Sequence, residues 1–420
     1  MSDNFDQFNP QTAEEFCQRG VARMESQSWK DAIDDFTEAI KLKPDVAAGY
    51  RLRAIAFVEH GSVPRAIADL DMAVRLKPDD VDALYDRAQF FLRQKQYSEA
   101  IADCNRAISL DEGRGDLFAL RGRVHESRGA CELADLDFSK AIQLNPEGEF
   151  QYRVWRGDVR MKKDDVIDAV DDYTQAIAIR PDETYPWMRR ATANWLLGQY
   201  QQALNDFSTG IEKDPESVKL HNGRGLVYQS MKDYSSALAD FQISYRLQPE
   251  NGSTQEYLAE CYWHLGQHAE AFQAIDRAIE IHGNSAHLFN IRATFHYYMH
   301  DYAKAVRDHT AALKCDPNSA VTFNYLGWIW STVPDRVFRN GRRAVECATR
   351  ACELTEFLTA TYLDTLAAAN AEIGNFVEAE KWAERAVELA EKPEERTLYK
   401  QHADLFFERH PLRVTPEFHS

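Results

Sequence analysis

Histidines and arginines are the side chains of this 420-residue chain whose spacing first invites a chemical reading. His296 and His300 lie four apart, with His287 and His309 near them, and two histidines one helical turn apart can hold zinc. No carboxylate or cysteine completes a ligand set by spacing, and His264 and His268 flank a Leu265-Gly266 turn, so no metal is expected. The seven cysteines (Cys17, Cys104, Cys131, Cys261, Cys315, Cys347 and Cys352) are scattered and odd in number, which fits reduced, packed thiols. A phosphate-binding glycine loop, a nucleophile elbow and a paired Cys-x-x-Cys are all missing, so neither a cofactor nor a catalytic residue is expected.

Four arginines fall within eight residues, Arg336, Arg339, Arg342 and Arg343, in a chain where 49 Lys+Arg stand against 67 Asp+Glu for a net charge of −18. They suit an acidic partner or a phosphate; the plainer reading is a solvated loop entering a helix. The overall acidity argues against nucleic-acid binding, which needs a basic face. No segment reaches the ~20 apolar residues of a membrane span, and the amino terminus has no basic or apolar leader. A cytoplasmic protein without membrane insertion is expected.

The elements that must carry these side chains follow from a period. Alanine recurs at 32, 66, 100, 134, 169, 203, 237, 271, 305, 344 and 379, in steps of 34 with exceptions of 35, 39 and 35. Such a period predicts a helix-turn-helix array. With that alanine at repeat position 20, position 8 reads Gly20, Ala54, Ala88, Gly122, Gly157, Ala191, Gly225, Ala259, Ala293, Gly327 and Ala367. Small residues at both places let two antiparallel helices approach closely. Bulky residues surround them, such as Tyr50 and Trp187 in the first helix and Phe36, Phe138 and Phe241 in the second. Prolines end many second helices, as at Pro44, Pro146 and Pro215.

This pattern resembles the tetratricopeptide repeat (TPR) over about residues 13–392. The resemblance implies an all-α, right-handed superhelical solenoid of about eleven helical hairpins that binds peptides or proteins. Residues 1–12 are expected as a flexible N-terminal segment and 393–420 as a capping helix and tail, with 411–420 frayed. The stretch Leu326–Leu389, with Leu363-Asp364-Thr365-Leu366, resembles the C-terminal part of certain bacterial TPR proteins, which implies a bacterial type.

A second register runs through the repeats. Position 7 is arginine at 19, 53, 87, 121, 156, 190, 224 and 292, and position 23 is aspartate at 35, 69, 103, 137, 172, 206, 240 and 308. Repeats eight, ten and eleven lack both, with Leu258 and Ala274, Leu326 and Cys347, and Leu366 and Trp382. Pairing between neighbouring repeats would strand Asp240 and Arg292, so each pair is expected to close its own hairpin.

In TPR arrays positions 2, 5, 9 and 12 of the first helices face a concave groove. There this chain presents Tyr185, Trp195, Trp263, Tyr297 and Trp328, with Asn222, Asn290 and Asn324 at position 5 and Glu256 interrupting them. A row of asparagines can grip a peptide backbone, and aromatics beside it supply apolar contact area. The carboxylate clamp of chaperone adaptors is not reproduced; Lys219 and Asn222 stand at the wrong offsets. The expectation is a non-catalytic scaffold holding a protein or peptide partner in repeats six to ten. The alternative is a self-assembling structural protein, a homo-oligomer with an empty groove.

Overall fold

A computed structural model describes residues 10–283 and 285–416; the two ends of the sequence expected to be flexible or frayed lie partly outside them, at 1–9 and 417–420. The chain divides between Pro215 and Glu216 into two compact units.

The first unit holds six antiparallel helix pairs. They are α1 (Ala13–Glu25) with α2 (Trp29–Leu42), α3 (Ala47–Glu59) with α4 (Val63–Leu76), and α5 (Val81–Arg93) with α6 (Tyr97–Leu110). Then follow α7 (Gly115–Ser127) with α8 (Cys131–Leu144), α9 (Glu149–Lys162) with α10 (Val166–Ile179), and α11 (Thr184–Leu196) with α12 (Tyr200–Lys213).

The second unit holds α13 (Val218–Ser230) with α14 (Tyr234–Leu247), α15 (Gly252–His264) with α16 (His268–His282), and α17 (Ala286–Tyr298) with α18 (Tyr302–Cys315). It continues with α19 (Ala320–Thr332) and α20 (Gly341–Leu354), α21 (Ala360–Glu372) and α22 (Phe376–Leu389), and a closing α23 (Pro393–Phe407). No strand occurs among the described residues, and no helix is long and apolar enough to cross a membrane.

The position-20 alanines, from Ala32 to Ala379, are fully buried. Glycine at position 8 answers a ring at position 24 in four repeats, while Gly327 in the tenth meets Ala348. A Cβ on Gly20, Gly122, Gly157 or Gly225 would stand 2.6, 2.9, 2.8 or 2.5 Å from Phe36, Phe138, Tyr173 or Phe241. Alanine at position 8 mostly meets a different residue type, as Ala54 does Leu70, Ala88 does Cys104 and Ala259 does Ile275. The turn inside each pair carries a left-handed residue in all pairs but the tenth, whether glycine (Gly61, Gly198) or not (Lys95, Lys232, His300).

The inferred arginine–aspartate pairs form in all eight repeats. Arg53 Nε and Nη2 donate to Asp69 at 2.7 and 2.7 Å, and Arg190 does the same to Asp206 at 2.8 and 2.8 Å. Arg19, Arg87, Arg121, Arg156, Arg224 and Arg292 bind Asp35, Asp103, Asp137, Asp172, Asp240 and Asp308 in the same two-pronged way. The eighth repeat, one of three lacking the pair, substitutes apolar contact: Leu258 and Ala274 are buried in one cluster. A further bond was not anticipated. Arg53 Nη1 reaches back to Thr37 of the preceding second helix, Arg87 to Asp71, Arg121 to Asn105 and Arg190 to Thr174. Each such guanidinium therefore closes its own hairpin and ties it to the one before.

Both ends of the described chain are more ordered than the sequence suggests. Thr12 caps α1 in a reciprocal box with Glu15, so residues 10–12 belong to the helix start. Beyond α23, Leu412 is buried, Val414 N–H donates to Thr332 O at 2.9 Å, and Arg413 pairs with Glu372 at 2.6 Å. The frayed tail expected from 411 is thus docked as far as 416, because it caps apolar surface left by α21, α22 and α23.

Candidate functional site

Position 5 of the first helices is where the second unit departs from simple packing. Asn222 Nδ2 donates to Thr254 Oγ1 at 3.2 Å, and Asn290 Nδ2 to Thr322 Oγ1 at 2.8 Å. Each threonine occupies position 3 of the next repeat, so these amides stitch neighbouring hairpins together rather than face a ligand. Asn324 has no such partner, because position 3 of the next repeat is Tyr362. Its side chain is only 7% exposed, and Oδ1 is sealed from solvent without a hydrogen bond. Glu256, the break in the row, binds His287 Nε2 at 2.8 Å.

Asn324 borders a cavity of about 340 Å³ between α17, α18, α19, α21 and α23. Tyr297, Tyr325, Trp328 and Tyr399 supply its aromatic walls. Trp328 Nε1 donates to Tyr297 OH at 3.2 Å, and Tyr399 and Thr361 share a hydroxyl contact of 3.0 Å. Burial pushes the Tyr297 phenol up to about 12, so it stays a neutral hydroxyl.

Three polar groups line this cavity from below. His309, stacked on Tyr325 with centroids 5.0 Å apart, is 1% exposed, and burial drives its pKa down to about 4. Its Nδ1 lies 2.8 Å from Asn290 Oδ1. Because the Asn290 amide nitrogen already donates to Thr322, that oxygen accepts; Nδ1 therefore carries the proton, and Nε2 of the neutral ring is a bare acceptor. Asp364, 3% exposed, is held by His402 Nδ1 at 2.9 and 3.0 Å from its two oxygens. Asn324 is the third.

Of the groove residues expected from sequence, the cavity gathers Tyr297, Asn324 and Trp328. Trp263 is withdrawn from that set: it is 3% exposed and stacks on Phe295 at 4.3 Å, inside the core. Tyr185 and Trp195 belong to the first unit, where Tyr185 OH donates to Asp158 at 2.9 Å. Asp364 is absent from the expected groove residues although it continues the position-5 row into the eleventh repeat, and His309, weighed in the sequence only beside the His296–His300 spacing, stands where other repeats carry a packing residue. Thr361 comes from α21, the first helix of the eleventh repeat, and Tyr399 from α23, which lies beyond the period.

The tetratricopeptide repeat family model matches residues 17–81, 52–116 and 223–286, and a second tetratricopeptide repeat model matches 359–392. The chain is a tetratricopeptide repeat protein. Among solved structures, yeast Tom70 is 17% identical with a TM-score of 0.47, covering 94% of this chain and 96% of its own. The C-terminal part of a TPR repeat-containing protein from Cytophaga hutchinsonii is 18% identical with a TM-score of 0.49, covering 58% of this chain and 99% of its own. A human IFIT1 dimer with PPP-AAAA is 16% identical with a TM-score of 0.43, covering 93% and 94%.

Two other sequence signals of this TPR chain resolve differently. Within the arginine loop, Arg339 is a structural strut: Nε donates to Glu372 at 3.1 Å and Nη1 to the carbonyls of Val333 and Pro334. Arg343 lies over Trp330 at 5.7 Å, and Arg336 and Arg342 are exposed. His296 and His300 do not share a helix, since α17 ends at Tyr298 and His300 is the left-handed turn residue, φ 60°.

Proposed function

We propose that this TPR protein is a non-catalytic scaffold that holds a segment of a partner protein in the cavity of its ninth to eleventh repeats. The observation that carries the reading is the Asn324 side chain. A buried amide oxygen without a hydrogen bond costs about 1–3 kcal/mol; Asn222 Oδ1 shares that state, but Asn324 also borders the cavity, where a segment that bonds to its amide would recover the cost. The aromatic walls add the contact area typical of binding hot spots. The exposed Arg336 and Arg342 supply a secondary, acidic-partner contact in this reading. Seven free thiols support action in a reducing compartment such as the cytoplasm.

Selection of a displayed random-peptide library on the purified chain tests the proposal. Peptides retained by the wild type and released by Asn324→Leu support it. A library whose binders are indifferent to Asn324 and Trp328 substitutions would remove the cavity from consideration and favour self-assembly, which sedimentation over a range of concentrations would then reveal.

A further inference from the structure

The same cavity carries a statement about what enters it, and this inference rests on the reading just given. Asp364 is the one charged residue on its walls, and no lysine or arginine borders it. A carboxylate offers about four lone-pair directions, and a single His402 N–H leaves most of them unused. Neutral His309 contributes a bare Nε2. The Asn324 amide can turn either its carbonyl or its NH2 edge inward, since rotation by half a turn leaves its shape unchanged. The rings of Tyr297, Tyr325, Trp328 and Tyr399 border the same cavity.

Acceptors at the bottom, aromatic rings at the sides and one negative charge form the complement of a donor-rich cation. Aromatic rings attract cations through their quadrupole, most strongly where water is excluded. A carboxylate or phosphate would meet Asp364 with no counter-charge, and an aliphatic group would leave the Asn324 amide and the Asp364 lone pairs without partners. We propose that the cavity receives the side chain of an arginine or lysine from the partner protein. The planar guanidinium, with five N–H donors, fits the spread of acceptors better than the compact ammonium, and the chain's net charge of −18 draws such segments in.

The test uses fluorescein-labelled heptapeptide pools, random except for a central residue fixed as arginine, lysine, citrulline, leucine, phenylalanine or glutamate. Binding to the full chain is read by fluorescence anisotropy. Citrulline keeps the shape of arginine and removes its charge. The arginine pool is expected to bind about tenfold more tightly than the citrulline pool, and more tightly still than the glutamate pool. Asp364→Asn, nearly identical in shape, should erase most of that preference. Tighter binding of the leucine or phenylalanine pool would overturn the inference while leaving the scaffold reading in place. Equal arginine and citrulline binding would do the same. Failure of every pool to bind would overturn both.

Discussion

The guanidinium of Arg53 and the carboxylate of Asp69 meet edge to edge, Nε on Oδ2 and Nη2 on Oδ1, each at 2.7 Å. Their side chains are 18% and 9% exposed, so neither charge is fully hydrated. Removing one partner strands the other. Asp69→Ala is expected to destabilise the chain by about 2–4 kcal/mol, while Arg53→Leu with Asp69→Ala, which copies Leu258 and Ala274, should cost less than about 1 kcal/mol. Urea unfolding together with hydrogen exchange in α3 and α4 checks this. Equal losses for the single and double changes would mean that the pair contributes no coupling.

Asn324→Leu is expected to raise the stability of the second unit by about 1–2 kcal/mol, because it replaces an unpaired buried amide by an apolar group of similar size. Asn290→Leu should do the opposite, losing about 2 kcal/mol, since it leaves His309 Nδ1 without a partner and Thr322 with Ser319 alone. Thermal unfolding of both variants decides. Destabilisation by both would show that Asn324 is bonded in solution.

Acid should weaken the second unit through His309. Its folded pKa of about 4 lies below the ordinary 6.5, so the unfolded chain takes up the proton first. The contribution is therefore intact above pH 6.5 and lost progressively as pH falls toward 4, reaching about 2 kcal/mol at pH 5. Half-buried His264 and His296, also shifted down by desolvation, act in the same direction. A plot of stability against pH should flatten in His309→Leu; an unchanged slope would place the titration elsewhere.

A chain ending at His410 should lose about 2–3 kcal/mol of stability in the second unit, most of it from exposing the apolar surface under Leu412. It would also leave Glu372 with Arg339 alone. Hydrogen exchange at 331–339 should rise, because Ser331 and Thr332 carbonyls lose their tail partners. Unaltered exchange there would mean that the tail does not dock.

The hairpins were legible because repetition amplifies weak signals: one alanine says little, while eleven in register specify a packing geometry. The arginine–aspartate register was legible for the same reason, and its gaps in repeats eight, ten and eleven even chose between two pairing schemes. The cavity was harder to read because it depends on exceptions. Asn222, Asn290 and Asn324 look alike in sequence, yet the first two donate to threonines at 254 and 322, only Asn290 is bonded through its oxygen as well, and the third meets Tyr362. That difference is written 32 residues downstream in the first two cases and 38 in the third, where the longer tenth repeat shifts the count. Trp263 occupies a groove position by number, but stacking on Phe295 draws it inward. Position along a helix sets direction only as far as neighbours allow.

The backward reach of Arg53 to Thr37, Arg87 to Asp71 and Arg121 to Asn105 also bears on how the array is made. A ribosome delivers the chain amino end first, so the acceptor of each tether has emerged before its arginine. In these repeats the new first helix thus arrives at a ledge already in place and fastens to it by the same kind of bond. Until the next first helix arrives, the tether acceptors Thr37, Asp71 and Asn105 are a hydroxyl, a carboxylate and an amide that water can satisfy. The polarity of that one bond leaves each tethered hairpin with a docking edge that stays wettable until its successor arrives.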